Sequence, residues 1–285
     1  MEERAKFQKY AAYKDSGVEW IGEVPEHWSI KRLSSFGSFS KGGGISRAEL
    51  IQDGLPAILY GDIYTKYDIC VRKVFNSVSS DTAKKSIAIS ENVLLFTGSG
   101  ETKEDIGRCV AYLGNDIAYV GGDVIVFKQY ENNSLFLSYV LNTPGAKLQK
   151  ARFSKGEIIV HIYASSLRII GVPIPPIFEQ TRIAAFLDRK TTQIDQAIAQ
   201  KERLIELLKE RRQILIHNAV TRGLNPNVRM KDSGVEWIGE VPEHWEVSRL
   251  KNHVVMITGN AFKSDKYSAD GIKIARGINV KEGVF

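Results

Sequence analysis

Apolar residues in this chain change their period once, near residue 177. Upstream, short runs rich in β-branched and aromatic residues alternate with Gly/Ser stretches such as "GSFSKGGGIS" (37–46), "TGSGE" (97–101) and "GGD" (121–123). The runs "LPAILYGDIY" (55–64), "NVLLFTG" (92–98), "RCVAYLG" (108–114) and "DVIVFKQY" (123–130) predict strands. One helix is expected at Ser134–Leu141, with Ser134 as N-cap and Thr143-Pro144-Gly145 as its stop. In "GVPIPPIFEQ" (171–180), three prolines exclude a helix or a central strand and predict a stiff extended connector. From Ile177 to Arg222 there is then neither Gly nor Pro.

In that stretch Leu187, Ile194, Lys201, Leu208 and Leu215 recur every seven residues, with Thr191, Ile198, Ile205 and Arg212 between them. This heptad stripe predicts a long amphipathic helix, roughly 60 Å for about 40 residues at 1.5 Å each. "RGLNPN" (222–227) ends it, with Gly223 as C-cap. A helix of that length cannot bury its stripe against itself. Pairing with a second copy through Leu187, Ile194, Ile198, Ile205, Leu208 and Leu215 is the expectation; lying across its own β-rich domain is the alternative. Lys201, Arg212 and Thr191 in the seam either weaken a continuous coil or fix its register or direction. The fold class is therefore α+β, a β-rich domain followed by one long coiled-coil-forming helix.

One string occurs twice. "KDSGVEWIGEVPEHW" fills Lys14–Trp28 and returns unchanged at Lys231–Trp245, and the two copies hold all four tryptophans. Agreement continues without a gap: Arg32-Leu33 matches Arg249-Leu250, Gly42 matches Gly259, and Asp53-Gly54 matches Asp270-Gly271. The repeating unit is thus a β-rich domain plus a helix. Residues 1–172 form the first domain, 173–229 the connector and helix, and 230–285 the start of a second domain, stopping at Val284-Phe285 in mid-pattern. That tail is expected to be poorly ordered or to borrow its packing. Within the string, Trp20, Ile21, Val24 and Trp28 read mainly as a structural cover on a core edge.

Composition narrows the chemistry. A net charge of +6 and a pI near 9.1 lean toward polyanionic partners. Two separated cysteines, Cys70 and Cys109, and five scattered histidines offer no disulfide framework or zinc spacing. No signal peptide or transmembrane run is expected, which points to the cytoplasm and away from a membrane. "FTGSG" (96–100) superficially suggests a cofactor loop, but "ETKEDIGRCVAYLG" after it reads as a return to strand, and "NTPG" (142–145) fails as a methyltransferase motif. No nucleotide-binding GxxxxGK[ST] occurs.

Taken together, the duplicated "DSGVEWIGEVPEHW", the "GVPIPPIFEQTRIAAFLDRKTTQID" entry into the helix (171–195) and the repeated domain start resemble the DNA specificity subunit of type I restriction-modification systems. The resemblance covers nearly the whole chain and matches a half-length or truncated form. It implies a target recognition domain that reads half of a bipartite site on double-stranded DNA, and a spacer helix. It also implies docking of methyltransferase (M) subunits and a restriction (R) subunit. S-adenosylmethionine, ATP and Mg are then expected on those partners, with no cofactor bound by this chain. A homodimer would set two identical readers at the ends of the spacer and select an interrupted palindrome. The rival is a coiled-coil scaffold whose β-rich domain binds protein; a self-sufficient DNA methyltransferase is more distant.

Reading residues are sought in loops with basic, aromatic and amide groups, against a background in which any lysine is simply solvated. Lys41 and Arg47 flank Gly42-Gly43-Gly44; "YTKY" supplies Tyr64, Lys66 and Tyr67; "GETKED" supplies Thr102 and Lys103. "KARFSKGE" supplies Lys150, Arg152, Ser154 and Lys155, of which Arg152 and Lys155 are the first choices because a basic, Gly-containing loop is expected there. The outer face of the long helix, with Glu202, Glu206 and Lys209, is a candidate seat for the methyltransferase.

Overall fold

A computed structural model describes residues 9–259, together with 262–263, 267–268, 270 and 272–274. The expected packing of the tail at Val284-Phe285 lies outside the described residues. Two compact units divide the chain, Met1–Ala199 and Gln200–Phe285.

The first unit is built on two five-stranded sheets. One runs in the order Gly37–Lys41, Val124–Gln129, Val93–Thr97, Cys109–Tyr112, Cys70–Val71, antiparallel except for the last pair. The other runs Leu50–Ile51, Asn76–Val78, Leu55–Ile58, Ala118–Val120, Ile87–Ile89. Its Ala118–Val120 strand pairs parallel with Leu55–Ile58 and antiparallel with Ile87–Ile89. Helices α1 (Tyr60–Thr65), α2 (Ser80–Ala83), α3 (Ser134–Leu141), α4 (Pro144–Phe153) and α5 (Ala164–Leu167) join and cover the strands, and α6 (Ile177–Arg222) follows.

The central strands read as unbroken apolar runs because both of their faces are buried. Leu94 and Phe96, Cys109 and Ala111, and Ile125 and Phe127 point to one core with Phe136, Leu137 and Leu141 of α3. Their neighbours Val93 and Leu95, Val110 and Tyr112, and Val124 and Val126 point to the other core with Ile58, Ile63 and Val120. The period of two along each strand distributes the side chains between these cores.

Two local expectations change. "LPAILYGDIY" is strand only over Leu55–Ile58; Asp62 Oδ2 accepts from the Leu59 amide at 2.9 Å and turns the remainder into α1. Thr143-Pro144-Gly145 does stop α3, which Asn133 rather than Ser134 caps through its Oδ1 to the Phe136 amide (2.9 Å). The same three residues also start α4: Thr143 is its N-cap and Pro144 sits in the first turn, where a missing N–H costs nothing. The "KARF" of the expected basic loop is therefore helix.

The repeated string forms one small hairpin twice. Tyr13–Asp15 pairs with Glu23–Pro25 in the register Tyr13↔Pro25, and Met230–Asp232 pairs with Glu240–Pro242 in the register Met230↔Pro242. In each copy an Asp carboxylate, Asp15 or Asp232, accepts from the amide of the following left-handed Gly, Gly17 or Gly234, at 2.9 Å. Their loops are held by matching Ser16 and Ser233 hydroxyls.

The first copy is fastened to the rest of its unit. Trp20 packs on Gly145 of α4 and donates to Gln149 Oε1 at 3.2 Å. Tyr10, His27 and Trp28 converge on Glu179 in the first turn of α6, at 2.8, 2.6 and 3.0 Å. The next residue, Gln180, is buried and bonds Asn132 Oδ1, the Pro175 carbonyl and the Asn133 amide at 2.8–2.9 Å. Gly171–Ile174 of the proline connector pairs with Ser29–Arg32 in a two-stranded sheet, where Pro173 leaves no central ladder unpaired. Further along α6, Asp188 takes a two-pronged contact from Arg72 (2.8 and 2.9 Å), and Thr191 bonds Tyr139 (3.1 Å). These contacts root α6 in the β-rich domain, and from Thr192 to Asn218 every residue is exposed.

Candidate nucleic-acid interface

Three adjoining clefts cut the surface of the first unit. One, of about 690 Å³, is lined by Arg47, Tyr60, Gly61, Lys66, Asn76 and Asp123, among others. A second, of about 610 Å³, shares Arg47, Tyr60, Gly61 and Thr65 with it and adds Tyr64, Ser99, Thr102 and Arg108. A third, of about 560 Å³, shares Asp123 with the first and adds Lys41, His161, Tyr163 and Ser165. Backbone pairing ties their walls together: Ser99–Gly100 bridges Val160–His161, and Lys155 bridges His161.

Small residues let these walls meet. A Cβ on Gly42 would fall 2.2 Å from the Gly121 carbonyl, and one on Gly100 would fall 2.6 Å from the Tyr64 hydroxyl. The "GGG" and "TGSG" stretches therefore mark close backbone approach. "FTGSG" leads back into strand pairing and not into a helix: Thr97 ends a strand, Ser99–Gly100 pairs across to Val160–His161, and turns follow.

Among the sequence candidates, Lys41, Arg47, Tyr64 and Lys66 line the clefts. Lys103 is exposed in the loop that contributes Thr102, and Lys155 sits opposite His161. Their electrostatic states differ. Lys41 pairs with Asp123 (3.3 Å), and Lys66 pairs with Asp62 (3.0 Å) and reaches Asn76 Oδ1 (2.9 Å). The hydroxyl of Tyr64 is turned inward to Thr97 Oγ1 (2.8 Å) and the Ser99 carbonyl (3.1 Å), and burial raises its pKa. Among the described residues no ion pair engages Arg47, Lys103 or Lys155.

Arg152 and Ser154 are held at the end of α4 instead. The Arg152 guanidinium faces Glu19 of the first hairpin at 3.5 Å, and the Ser154 hydroxyl donates to the Ala151 carbonyl at 2.7 Å. Lys150 is withdrawn altogether: it is fully buried, its amine donates to the Gly107 carbonyl, and burial lowers its pKa to about 8. Tyr67 is buried as well, stacked on Phe75, its phenol pushed up to about 12 by burial.

Sequence reasoning passed over Tyr60, His161 and Tyr163. His161 and Tyr163 are two apart on an extended segment and so share a face; the i, i+2 pairing in "VHIY" was the available signal.

On α6, Leu187 is half-buried beside the domain, whereas Ile194, Ile198, Ile205, Leu208 and Leu215 are 51–58% exposed. The heptad stripe thus stands open to solvent beyond the root of the helix. Among the described residues no His/Cys/Asp/Glu group could hold a metal ion, and no helix is long and apolar enough to cross a membrane.

The family model for the type I restriction modification DNA specificity domain matches residues 25–207. The chain belongs to this family. A similar specificity-family protein, the type I restriction enzyme MjaVIII specificity subunit of Methanocaldococcus jannaschii, is 27% identical over 262 residues, covering 91% of this chain and 57% of that protein. The type I restriction enzyme EcoKI specificity subunit of Escherichia coli (strain K12) is 24% identical over 257 residues, covering 88% and 53%. The chain spans little more than half the length of these curated relatives. A chain from a type I R-M system, solved to describe complex assembly and conformational transition, superposes with a TM-score of 0.55 at 18% identity, covering 74% of this chain and 49% of that one. The specificity-family fold, a β-rich domain followed by a long helix, is thus the fold of this chain.

Proposed function

We propose that this specificity-family chain is a sequence-selective reader of double-stranded DNA that performs no chemistry itself. The observation that carries the reading is the set of adjoining clefts with Arg47 in the wall of two of them, Lys103 next to the lining residue Thr102 and Lys155 paired with the lining residue His161, three cations without an ion pair among the described residues. Cations of this kind meet phosphates and set register, while side chains on the cleft walls reach base edges. Residues 1–172 serve as the target recognition domain, 173–229 as connector and spacer helix, and 230–285 as the opening of a second recognition domain.

The exposed stripe of α6 supports self-association. Two copies joined through Ile194, Ile198, Ile205, Leu208 and Leu215 form a two-fold dimer with a reader at each end of the spacer. Such a dimer selects two inverted half-sites separated by a fixed gap. In this reading it works in the cytoplasm with methyltransferase subunits, which bring S-adenosylmethionine, and a restriction subunit, which uses ATP and Mg.

Enrichment from a pool of randomised duplexes, followed by sequencing, tests the proposal. The expected result is a split palindrome. A flat profile with weak, salt-insensitive binding would instead make the β-rich domain a protein-binding module.

A further inference from the structure

The segment Lys155–Tyr163 has features that the fold alone does not require. Its tip is apolar and bare, with Ile158 90% and Ile159 59% exposed. Gly156, at φ +99°, makes the turn, and a Cβ there would lie 2.1 Å from the Ile159 carbonyl. The base of the turn is rigid: Lys155 and His161 exchange both backbone hydrogen bonds (2.9 and 2.7 Å), and the Ile162 amide donates to Gly98 (2.9 Å). A rigid base carrying a bare apolar tip is shaped to be presented to something else.

His161 stands at that base with one ring nitrogen anchored. The Ser99 hydroxyl, itself buried, lies 2.9 Å from His161 Nδ1, and the Ser99 backbone is fixed in turn by the Tyr64 hydroxyl on its carbonyl. On its other side the imidazole stacks on Tyr163, with ring centroids 6.4 Å apart and planes 25° from parallel. Tyr163 is half exposed, and both rings line the cleft that contains Lys41. Among the described residues Nε2 has no hydrogen-bond partner. An imidazole gripped at Nδ1 and braced on an aromatic ring offers Nε2 as one fixed polar point on a cleft wall.

From this geometry we infer that His161 reads a base edge: its Nε2 contacts one base pair of each half-site, Ser99 sets the ring, and Tyr163 supports it. This rests on the DNA-reading proposal above and assigns the contact within it. As a donor, Nε2 meets the N7 or the O6 acceptor of guanine; as an acceptor, it meets the exocyclic amine of cytosine or adenine. Ser99 is a positioning residue, since it acts only through the imidazole.

The test uses the full chain and its His161→Ala, His161→Gln, Ser99→Ala and Ser99→Thr variants in enrichment from randomised duplexes, with thermal melting to check folding. The wild type should return a defined half-site. His161→Ala should keep the rest of that half-site but lose selection, on the order of tenfold, at a single base pair. His161→Gln, which keeps a polar group of similar reach, should alter the preferred base at that same position. Ser99→Ala should weaken selection there and Ser99→Thr, which keeps the hydroxyl, should restore it. Folded His161→Ala protein with an unchanged profile at every position overturns the assignment. If the wild type itself enriches nothing, the DNA reading fails first and this inference goes with it.

Discussion

The indole nitrogen of Trp28 donates to Oε2 of Glu179 at 3.0 Å and so fastens the repeated string to the first turn of α6. Two sequence signatures far apart in the chain, "PEHW" and "PIPPIFEQ", are the two sides of one joint. The joint is one of several contacts, with Arg72–Asp188 and Tyr139–Thr191, that fasten the start of α6 to the β-rich domain.

Acid should loosen this joint. Burial alone would raise the Glu179 carboxyl, but hydrogen bonds from His27, Tyr10 and Trp28 outweigh it and hold the pKa below its ordinary value. A carboxylate with a lowered folded pKa stabilises fully above the unfolded value, about 4.3, and that contribution is lost as pH falls through the folded value. Glu179→Gln should cost about 2 kcal/mol at neutral pH, the scale of hydrogen bonds to a charged group. The gap to wild type should close below the ordinary carboxylate range. Urea unfolding at steps from pH 7 to pH 3 measures both.

The two hairpins share one sequence and one register, yet their tryptophans should behave differently. Trp20 is seated on Gly145 and Gln149, whereas Trp237 is 75% exposed. Trp20→Ala should destabilise by about 2 kcal/mol, below the range for a fully buried tryptophan, and Trp237→Ala by less than about 0.5 kcal/mol. In variants keeping a single tryptophan, acrylamide should quench Trp237 far more readily than Trp20. Equal quenching would contradict the difference in seating.

Much of this architecture was legible because its signals are periodic. Central strands appear as apolar runs, and α6 as a heptad without Gly or Pro, since burial on two faces or along one stripe dictates those patterns. What escaped was set by contacts distant in sequence. The start of α4 is the exception, since Thr143-Pro144 is a local cap and first-turn signal that the stop of α3 masked; nothing local marks Lys150 as buried, because Gly107 and Cys109 arrive from elsewhere in the chain. The site was legible only in its loops. His161 gains its significance from Ser99, 62 positions upstream, which no window of the sequence displays.

Lys150 should give stability an alkaline slope. Its folded pKa is pushed down to about 8 by burial, while an unfolded lysine titrates near 10.4. Between those values the unfolded chain binds more protons, so stability rises with pH across that window and is level on either side. The rise is on the order of 3 kcal/mol. Lys150→Met fills the same space without titrating and should remove the slope. The difference between wild type and variant, from urea unfolding at pH 7.5 to 10.5, isolates it from other groups. A parallel dependence in both proteins would place the charge of Lys150 in water.

The seam of α6 gives the sharpest test of how two readers come together. Ile198 and Ile205 lie one heptad apart, each 51% exposed, and neither supports the fold of the β-rich domain. Each isoleucine covered by a partner helix contributes about 1.5–3 kcal/mol at full burial, and a carboxylate in its place adds a desolvation cost. Paired across a two-fold axis, Ile198→Glu and Ile205→Glu together would bring four like charges into one dry seam. Sedimentation should therefore find wild type as a dimer at low micromolar concentration and the double variant as a monomer. The melting of the β-rich domain should be unchanged, because the substituted positions do not touch its core. The monomeric variant should then enrich a single half-site with no fixed gap, since the spacing arises from the second helix. A wild-type chain that sediments as a monomer at tens of micromolar would remove the symmetric spacer, and the interrupted palindrome with it.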